Sequence, residues 1–266
     1  MYNFTYHRPS GLRQAGNMLT KLEDAKLLAG GQTLIPVMKQ RLASPANIVD
    51  LNRVEGLSGI ELKGRSLVIG AMTRHVEVAS SDVVKTNLPA LAELAEMVGD
   101  PHVRHRGTLG GSIANNDPNA DYPAACIGLG ATIITTKRRI PADEFFKGLF
   151  ETALEPDEII TRVNFPLAKK AGYIKFRNPA SRFALVGVFV SKRGSDIRVA
   201  VTGAGASGVF RVPSFEEALK KRFAAKSLDG LTVPATGLAS DIHGSAEYRA
   251  HLIGVLAKRA VAKATA

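Results

Sequence analysis

Two short glycine-bearing stretches, Ala29-Gly30-Gly31-Gln32-Thr33 and Thr108-Leu109-Gly110-Gly111-Ser112, stand out in this chain. Each combines adjacent glycines with hydroxyl or amide side chains, a composition that lets backbone N–H groups approach a phosphate without a Cβ in the way. One such loop is a weak signal. Two together indicate the diphosphate of a dinucleotide held between two loops.

The segment after the second glycine stretch predicts a ligand-binding loop. Residues 113–123 contain short polar side chains and two prolines, too irregular a pattern for a strand. Asp117 and Asp121 within it are candidate acceptors for the hydroxyls of a ribose or ribityl chain. Two alternatives stay open for this pair, namely acid–base chemistry and a capped turn that binds nothing.

Composition limits the class of protein. The chain has 266 residues, 45% of them hydrophobic, enough for one large domain or two ordinary ones. No run approaches the roughly 20 apolar residues of a membrane span, and the N-terminus lacks a secretory signal, so we expect a cytoplasmic protein. Cys126 is the only cysteine, which excludes an internal disulfide and a cysteine-ligated iron–sulfur cluster within the chain.

Positive charge is concentrated in the C-terminal part. Residues 1–168 carry 18 Lys and Arg against 18 Asp and Glu, whereas residues 169–266 carry 17 against 6. Two explanations of this surplus stay open. The lysines and arginines either lie on solvated surfaces or bind an acidic partner subunit. The basic residues are not interleaved with aromatic residues, so we do not expect a nucleic-acid partner.

The first glycine stretch lies in a predicted helix–strand–loop unit. Ser10 is the expected N-cap of a helix with an apolar face, and a short apolar run over residues 26–29 leads into the glycines. A second helix is expected after Thr33, because proline at position 36 is tolerated in a first turn.

The second stretch lies in a similar unit. Strand-like runs at residues 46–51 and 66–70 predict a small sheet. An amphipathic helix over residues 88–98 then stops at Gly99, just before the second glycine stretch.

The C-terminal part predicts strands followed by helices. A hairpin is expected between residues 184–190 and 197–201. Ser214 and Glu217 form a capping-box pattern for one helix, and a last helix is expected from about Ser245. A boundary is expected near residues 166–172, where the charge balance changes.

Three further motifs are interpreted as structural. Residues 203–208 match G-x-G-x-x-G, but a β-like run and a proline follow where a helix should open, so a tight turn is expected. His102 and His105 lack further ligands nearby, which argues against a metal site. Cys126, in an apolar context, is expected to be a buried, inert thiol, and His75 is expected to be structural.

Taken together, these motifs resemble the FAD-binding medium subunit of the molybdenum hydroxylases, the family that contains xanthine dehydrogenase and aerobic carbon monoxide dehydrogenase. The segments that carry the resemblance are the two glycine stretches, Asp100-Pro101, Asp117-Pro118 and Asp121, residues 48–52, residues 145–158 and residues 176–186.

The resemblance implies an α+β fold. It predicts an N-terminal FAD-binding domain over residues 1–168, of the vanillyl-alcohol-oxidase (PCMH) type, with two α/β subdomains at about residues 1–55 and 56–168. It predicts a smaller C-terminal domain of a sheet and helices over residues 169–266.

The resemblance also implies which residues bind FAD. The backbones of the two glycine stretches are expected at the diphosphate, Asn115 and Asp121 near the ribityl and phosphate groups, and Ile160 and Arg177 near the flavin ring. The full predicted set is Ala29, Gly30, Gly31, Gln32, Thr33, Leu34, Thr108, Gly110, Gly111, Ser112, Asn115, Asp117, Asp121, Ile160 and Arg177.

The implied function is electron transfer within an oxidoreductase complex. A molybdopterin-binding large subunit and a 2Fe–2S small subunit are the expected partners, in a heterotrimer that dimerises, and FAD would pass electrons to a terminal acceptor. Two other functions stay open, a stand-alone FAD oxidoreductase and an assembly subunit without flavin.

Overall fold

The N-terminal unit is a three-stranded parallel sheet with two helices. The computed structural model describes residues 1–266. The sheet order is β1-β3-β2, with both pairs parallel, as expected for strands connected through helices. In chain order the elements are β1 (Thr5–His7), α1 (Leu12–Lys21), β2 (Ala25–Leu28), α2 (Leu34–Lys39) and β3 (Asn47–Asp50).

The middle unit is a five-stranded antiparallel sheet in the order β4-β5-β10-β6-β7, with six helices inserted between β5 and β6. Its elements are β4 (Ile60–Lys63), β5 (Ser66–Gly70), α3 (His75–Ser80), α4 (Asp82–Asn87), α5 (Pro89–Glu96), α6 (Pro101–Arg104), α7 (Leu109–Asn115), α8 (Tyr122–Leu129), β6 (Thr132–Thr135), β7 (Arg139–Pro141), α9 (Ala142–Phe145), β8 (Phe146–Gly148), β9 (Glu151–Thr152) and β10 (Ile160–Pro166).

The C-terminal unit is a four-stranded antiparallel sheet in the order β11-β12-β13-β14, with two helices. Its elements are β11 (Lys170–Arg177), β12 (Ala184–Arg193), β13 (Asp196–Thr202), β14 (Phe210–Arg211), α10 (Pro213–Lys221) and α11 (Ala246–Thr265). The architecture is therefore the expected α+β type. No helix is long and apolar enough to cross a membrane.

The C-terminal sheet is buried on both faces. Tyr173 and Phe189 belong to the core of the middle unit, together with helices α5 and α8. Val186, Val188 and Val190 of β12 belong to a second core with α10 and α11. Because side chains alternate along a strand, β12 joins the two cores. The division at residue 168 stays a prediction about domains, but the units on either side share one core.

Two predicted helix caps are wrong. Gly11, not Ser10, is the N-cap of α1, and the backbone N–H of Ser10 donates to the side chain of Gln14. Helix α10 begins at Pro213, so Ser214 lies inside the helix and does not cap it. Proline suits the first position of a helix because the N–H that it lacks would have no partner there. The predicted cap at Ser245 is confirmed, since its hydroxyl accepts from the N–H of Tyr248 at 3.2 Å.

The shared core predicts cooperative unfolding. The Phe189 side chain is fully buried and packs on Gly128 of α8. Phe189→Ala should lower the free energy of unfolding by about 3–5 kcal/mol, because it leaves a cavity in that core. Chemical denaturation followed by far-UV and near-UV circular dichroism should show one transition for both units.

The matched control for Phe189→Ala is Ile242→Ala, since Ile242 is 96% exposed. Its effect should stay within about 0.5 kcal/mol. Two separate transitions, or equal effects of the two substitutions, would contradict a shared core.

Candidate functional site

Both glycine stretches line one cavity of about 610 Å³. This volume lies within the roughly 300–1,000 Å³ of typical small-molecule sites. Every predicted site residue except Arg177 lines it. Arg177 is exposed at the end of β11, beside an irregularity in the pairing with β12. The structure thus brings together residues that are distant in sequence, as the two-loop hypothesis requires.

The first glycine loop has unused hydrogen-bond donors. The backbone N–H groups of residues 30–33 donate to no acceptor within the chain. Gly31 adopts the left-handed conformation, with φ of 73°. The loop is fixed at its start by Asn52, whose side-chain amide donates to the carbonyl of Ala29 at 3.0 Å. Consecutive free N–H groups in a turn form a concavity that suits an anion.

Asn52 is itself held in place by Asp50, at the end of β3. One carboxylate oxygen of Asp50 accepts from the backbone N–H of Asn52 at 2.9 Å and from its side chain. The other oxygen accepts from the hydroxyl of Tyr6. The first loop is therefore anchored to the parallel sheet through side chains that were not among the predicted site residues, although Asp50 and Asn52 belong to a segment that carries the family resemblance.

The second glycine loop differs, because most of its N–H groups are already used. Leu109 and Gly110 donate to the carbonyls of Thr73 and Ala71, at 3.0 and 2.8 Å. Gly111 donates to the Thr108 hydroxyl at 3.1 Å, and Ser112 donates to the Thr108 carbonyl at 3.0 Å. This loop is pinned to the segment that follows β5, so it serves mainly as a wall of the cavity.

Glycine is required where the two loops touch. A Cβ at Gly30 would overlap the carbonyl oxygen of Arg106 and lie 2.7 Å from the Cα of Gly107. A Cβ at Gly110 would lie 2.6 Å from the Cβ of Ala71. Real Cβ atoms do not approach other atoms this closely. Glycine at position 30 therefore lets the first loop pack on the backbone that leads into the second loop, and glycine at position 110 lets the second loop pack on Ala71 after β5.

The polar segment after the second loop is an ordered turn at the cavity wall. One carboxylate oxygen of Asp117 accepts from the N–H of Asn119 at 2.9 Å, and burial raises the pKa of Asp117. Asn116, with φ of 44°, donates through its side chain to the carbonyls of Gly148 and Glu151. Asn116 is thus a structural residue, whereas Asn115 and Asp117 line the cavity.

Asp121 forms a buried network with the C-terminal sheet. One of its carboxylate oxygens accepts from the Tyr173 hydroxyl at 2.5 Å, and the other accepts from the Lys175 ammonium at 2.8 Å. Burial raises the pKa of Asp121, and the charge and hydrogen bond of Lys175 oppose that rise. Both oxygens of Asp121 are in use, so its main effect is to hold Lys175 in the wall.

Sequence reasoning missed Lys175. Its side chain is only 1% exposed, and besides Asp121 it donates to the carbonyl of Met97 at 3.1 Å. An ammonium has three donors, so one remains for a ligand. No motif surrounds Lys175 on β11, and only the packing of β11 against the middle unit reveals its place.

The C-terminal unit also contributes a loop to the cavity. Ser181, Arg182 and Phe183 line it, between β11 and β12. The side-chain oxygen of Asn178 accepts from the N–H groups of Ala180 and Ser181, which shapes the loop. The cavity is therefore formed by all three units.

The motifs interpreted as structural, except His75, lie outside the wall of the large cavity. Residues 203–208 form the turn between β13 and β14, as expected, and several of them line a smaller, separate cavity of about 370 Å³. Cys126 is buried, and burial raises its pKa, which confirms an inert thiol. His102 and His105 lie outside the wall of the large cavity, but His75 is part of it.

Loss of the buried Lys175 ammonium should destabilise the protein. Lys175→Met leaves the Asp121 carboxylate buried and unpaired, and we expect the free energy of unfolding of the ligand-free protein to fall by about 3–5 kcal/mol. Urea denaturation at neutral pH measures this effect.

The control for Lys175→Met is Lys63→Met, because Lys63 pairs with Glu61 while its side chain is 63% exposed. Its cost should stay below about 1 kcal/mol. Similar costs for the two variants would show that the Asp121–Lys175 pair is not an important buried interaction.

Comparison with known proteins identifies the family. Residues 2–168 match the family described as the FAD binding domain in molybdopterin dehydrogenase. The chain is 37% identical to the carbon monoxide dehydrogenase medium chain of Hydrogenophaga pseudoflava, over 97% of this chain and 96% of that protein. It is 36% identical to the nicotine 6-hydroxylase medium subunit of Paenarthrobacter nicotinovorans, over 98% and 97%.

Solved structures agree with this grouping. The fold matches a carbon monoxide dehydrogenase structure from Hydrogenophaga pseudoflava with a TM-score of 0.88 and 36% identity, covering 99% of this chain and 98% of that one. It also matches quinoline 2-oxidoreductase from Pseudomonas putida 86, with a TM-score of 0.84 and 28% identity, covering 99% and 97%. The chain belongs to the molybdenum hydroxylase family of oxidoreductases, as an FAD-binding subunit.

Proposed function

We propose that this chain carries FAD in a multi-subunit molybdenum hydroxylase, where it accepts electrons from a 2Fe–2S subunit and passes them to a terminal acceptor. The observation that carries the proposal is the cavity between the glycine loops, with a row of free N–H donors on one side. Relatives named as medium chains or subunits of dehydrogenases and hydroxylases support the same role.

The cavity wall fits FAD. The free N–H groups of residues 30–33 would bind the diphosphate, as fixed donors that need no side-chain charge. The side chains of Ser112, Asn115 and Asp117 supply a hydroxyl, an amide and a carboxylate for the hydroxyls of the ribityl chain. Ile160, in the apolar part of the wall, and Arg177 remain the proposed neighbours of the flavin ring.

This chain supplies position and electrostatics, while bound FAD supplies the exchange between one-electron and two-electron transfer. Lys175 places a buried positive charge at the wall, where a low dielectric strengthens its attraction to an anionic ligand. Asp121 and Met97 fix the position of that charge. The pinned second loop keeps the opposite wall in place.

The proposed partners are a molybdopterin-binding large subunit and a 2Fe–2S small subunit, in a heterotrimer that dimerises in the cytoplasm. A chain whose single cysteine is buried needs another subunit to supply an iron–sulfur cluster. The surplus of positive charge in residues 169–266 is a candidate docking surface for an acidic partner, and binding through it would weaken as salt increases.

Purification of the chain alone and with its genomic neighbours tests this function. We expect a yellow protein whose released cofactor is FAD, with reduction of the flavin only when the partner subunits and the substrate of the complex are present. Absorbance at the flavin bands measures the bound flavin and its reduction, and chromatography of the released cofactor identifies it as FAD.

The other outcomes identify the alternatives. Reduction by a small molecule without partner subunits would indicate a stand-alone FAD oxidoreductase. A chain that binds no FAD in any preparation would indicate an assembly subunit and would overturn the proposal.

The contact between the loops should be necessary for FAD affinity. Gly30→Ala forces the two loops apart, because the new Cβ overlaps the Arg106 carbonyl, and we expect FAD to bind at least about 10-fold more weakly. Titration of the ligand-free chain with FAD, followed by flavin fluorescence, gives the Kd.

Gly254→Ala is the matched control for Gly30→Ala. Gly254 lies in α11, with no atom within 4 Å of an added Cβ, so FAD affinity should be unchanged and stability equal or higher. If Gly30→Ala also keeps the full affinity, the first loop is not at the diphosphate.

A further inference from the structure

His75 is a buried histidine in the wall of the large cavity. It is the first residue of α3 and is 4% exposed. Ala71, Met72, Gly107 and Thr108 line the same cavity. It therefore lies beside the second glycine loop, on the ligand side.

The imidazole of His75 has no hydrogen-bond partner in the chain. No side chain or carbonyl pairs with either ring nitrogen, and Nδ1 is enclosed. A buried polar group without a partner costs about 1–3 kcal/mol, so proteins usually pair it or place it where a ligand pairs it. Nδ1 is enclosed, whereas Nε2 is not, so Nε2 is the ring nitrogen that a ligand in the cavity can pair.

The ring is held firmly in this place. The backbone N–H of His75 donates to the carbonyl of Gly107 at 3.0 Å. Gly107 has no Cβ, and an added one would lie 2.6 Å from the Nε2 of His75. Tyr122 packs on the other side, with ring centroids 5.3 Å apart. Glycine at position 107 is thus required for the ring to lie against the second loop.

The ring is also neutral at physiological pH. Burial, together with the charge of Arg104, lowers the pKa of His75 to about 4. A neutral imidazole carries one N–H donor and one acceptor nitrogen, both suited to the oxygens and hydroxyls of a dinucleotide.

We propose that His75 is a further FAD-binding residue, with Nε2 hydrogen-bonded to an oxygen of the diphosphate–ribityl chain beside the second glycine loop. Most N–H groups of the second loop already donate to acceptors within the chain, so His75 supplies a side-chain donor or acceptor on that wall. This inference rests on the proposed FAD-binding function.

Nitrogen NMR of the histidine rings tests the hydrogen bond directly. The chain has six histidines, so a protein with ¹⁵N-labelled histidine gives a simple long-range ¹H–¹⁵N spectrum. The His75 signals are those missing from His75→Leu. When FAD is added to the ligand-free chain, we expect one ring nitrogen of His75 to shift while the ring stays neutral.

Affinity measurements on variants separate binding from structure. His75→Leu should bind FAD about 10-fold more weakly, the loss expected for one hydrogen bond, with a ligand-free stability equal to or above that of the unmodified chain. His75→Gln, which keeps a donor and an acceptor, should recover part of the affinity. Tyr122→Phe is the control, since it removes a buried, unpaired hydroxyl outside the cavity wall and should leave the Kd unchanged.

The outcomes are distinct. Unchanged His75 ring signals with FAD, or an unchanged Kd for His75→Leu, would show that His75 only fills space, although FAD binding by the unmodified chain would still support the proposed function. A chain that binds no FAD at all would overturn both proposals. A loss of affinity in Tyr122→Phe equal to that in His75→Leu would assign the effect to packing.

Discussion

The close contact between the two glycine loops is the constraint on which the rest of the site depends. Gly30 lies directly against the backbone at Arg106 and Gly107, where no Cβ fits. This contact brings the parallel N-terminal sheet and the middle unit together at one point. The cavity lies beside this contact and is lined both by the first loop, with its free N–H groups, and by the pinned second loop.

The C-terminal unit is a necessary part of this arrangement. Its sheet shares a core with α5 and α8 of the middle unit, and it supplies the buried ammonium of Lys175 to the cavity wall. Since the Asp121–Lys175 pair is buried, it is stable only while the two units stay packed together. Ligand binding and the association of these units should therefore be linked.

Much of the fold and family could be predicted from local sequence. The strand before the first glycines, the β12–β13 hairpin and the last helix with its Ser245 cap are confirmed, because each depends on periodicity or capping within a few residues. The predicted caps at Ser10 and Ser214 are wrong because capping also depends on only a few residues. The neighbouring residues Gly11 and Pro213 fit a helix start equally well, and the local sequence did not distinguish between them. FAD as the cofactor and the α+β fold are confirmed by the family and by the structural matches.

By itself, the sequence determined the FAD-binding family and predicted that two glycine loops and a polar segment form the dinucleotide site, because the chemistry of glycine pairs and short polar residues can be read from a few neighbouring positions. Only the tertiary structure decided that the two loops have different roles, since the hydrogen bonds of Leu109 and Gly110 go to residues over thirty positions earlier in the chain. It also placed Lys175 and His75 in the wall. The residues that contact them, such as Asp121 for Lys175 and Tyr122 for His75, are distant in sequence, and no local pattern predicts such contacts.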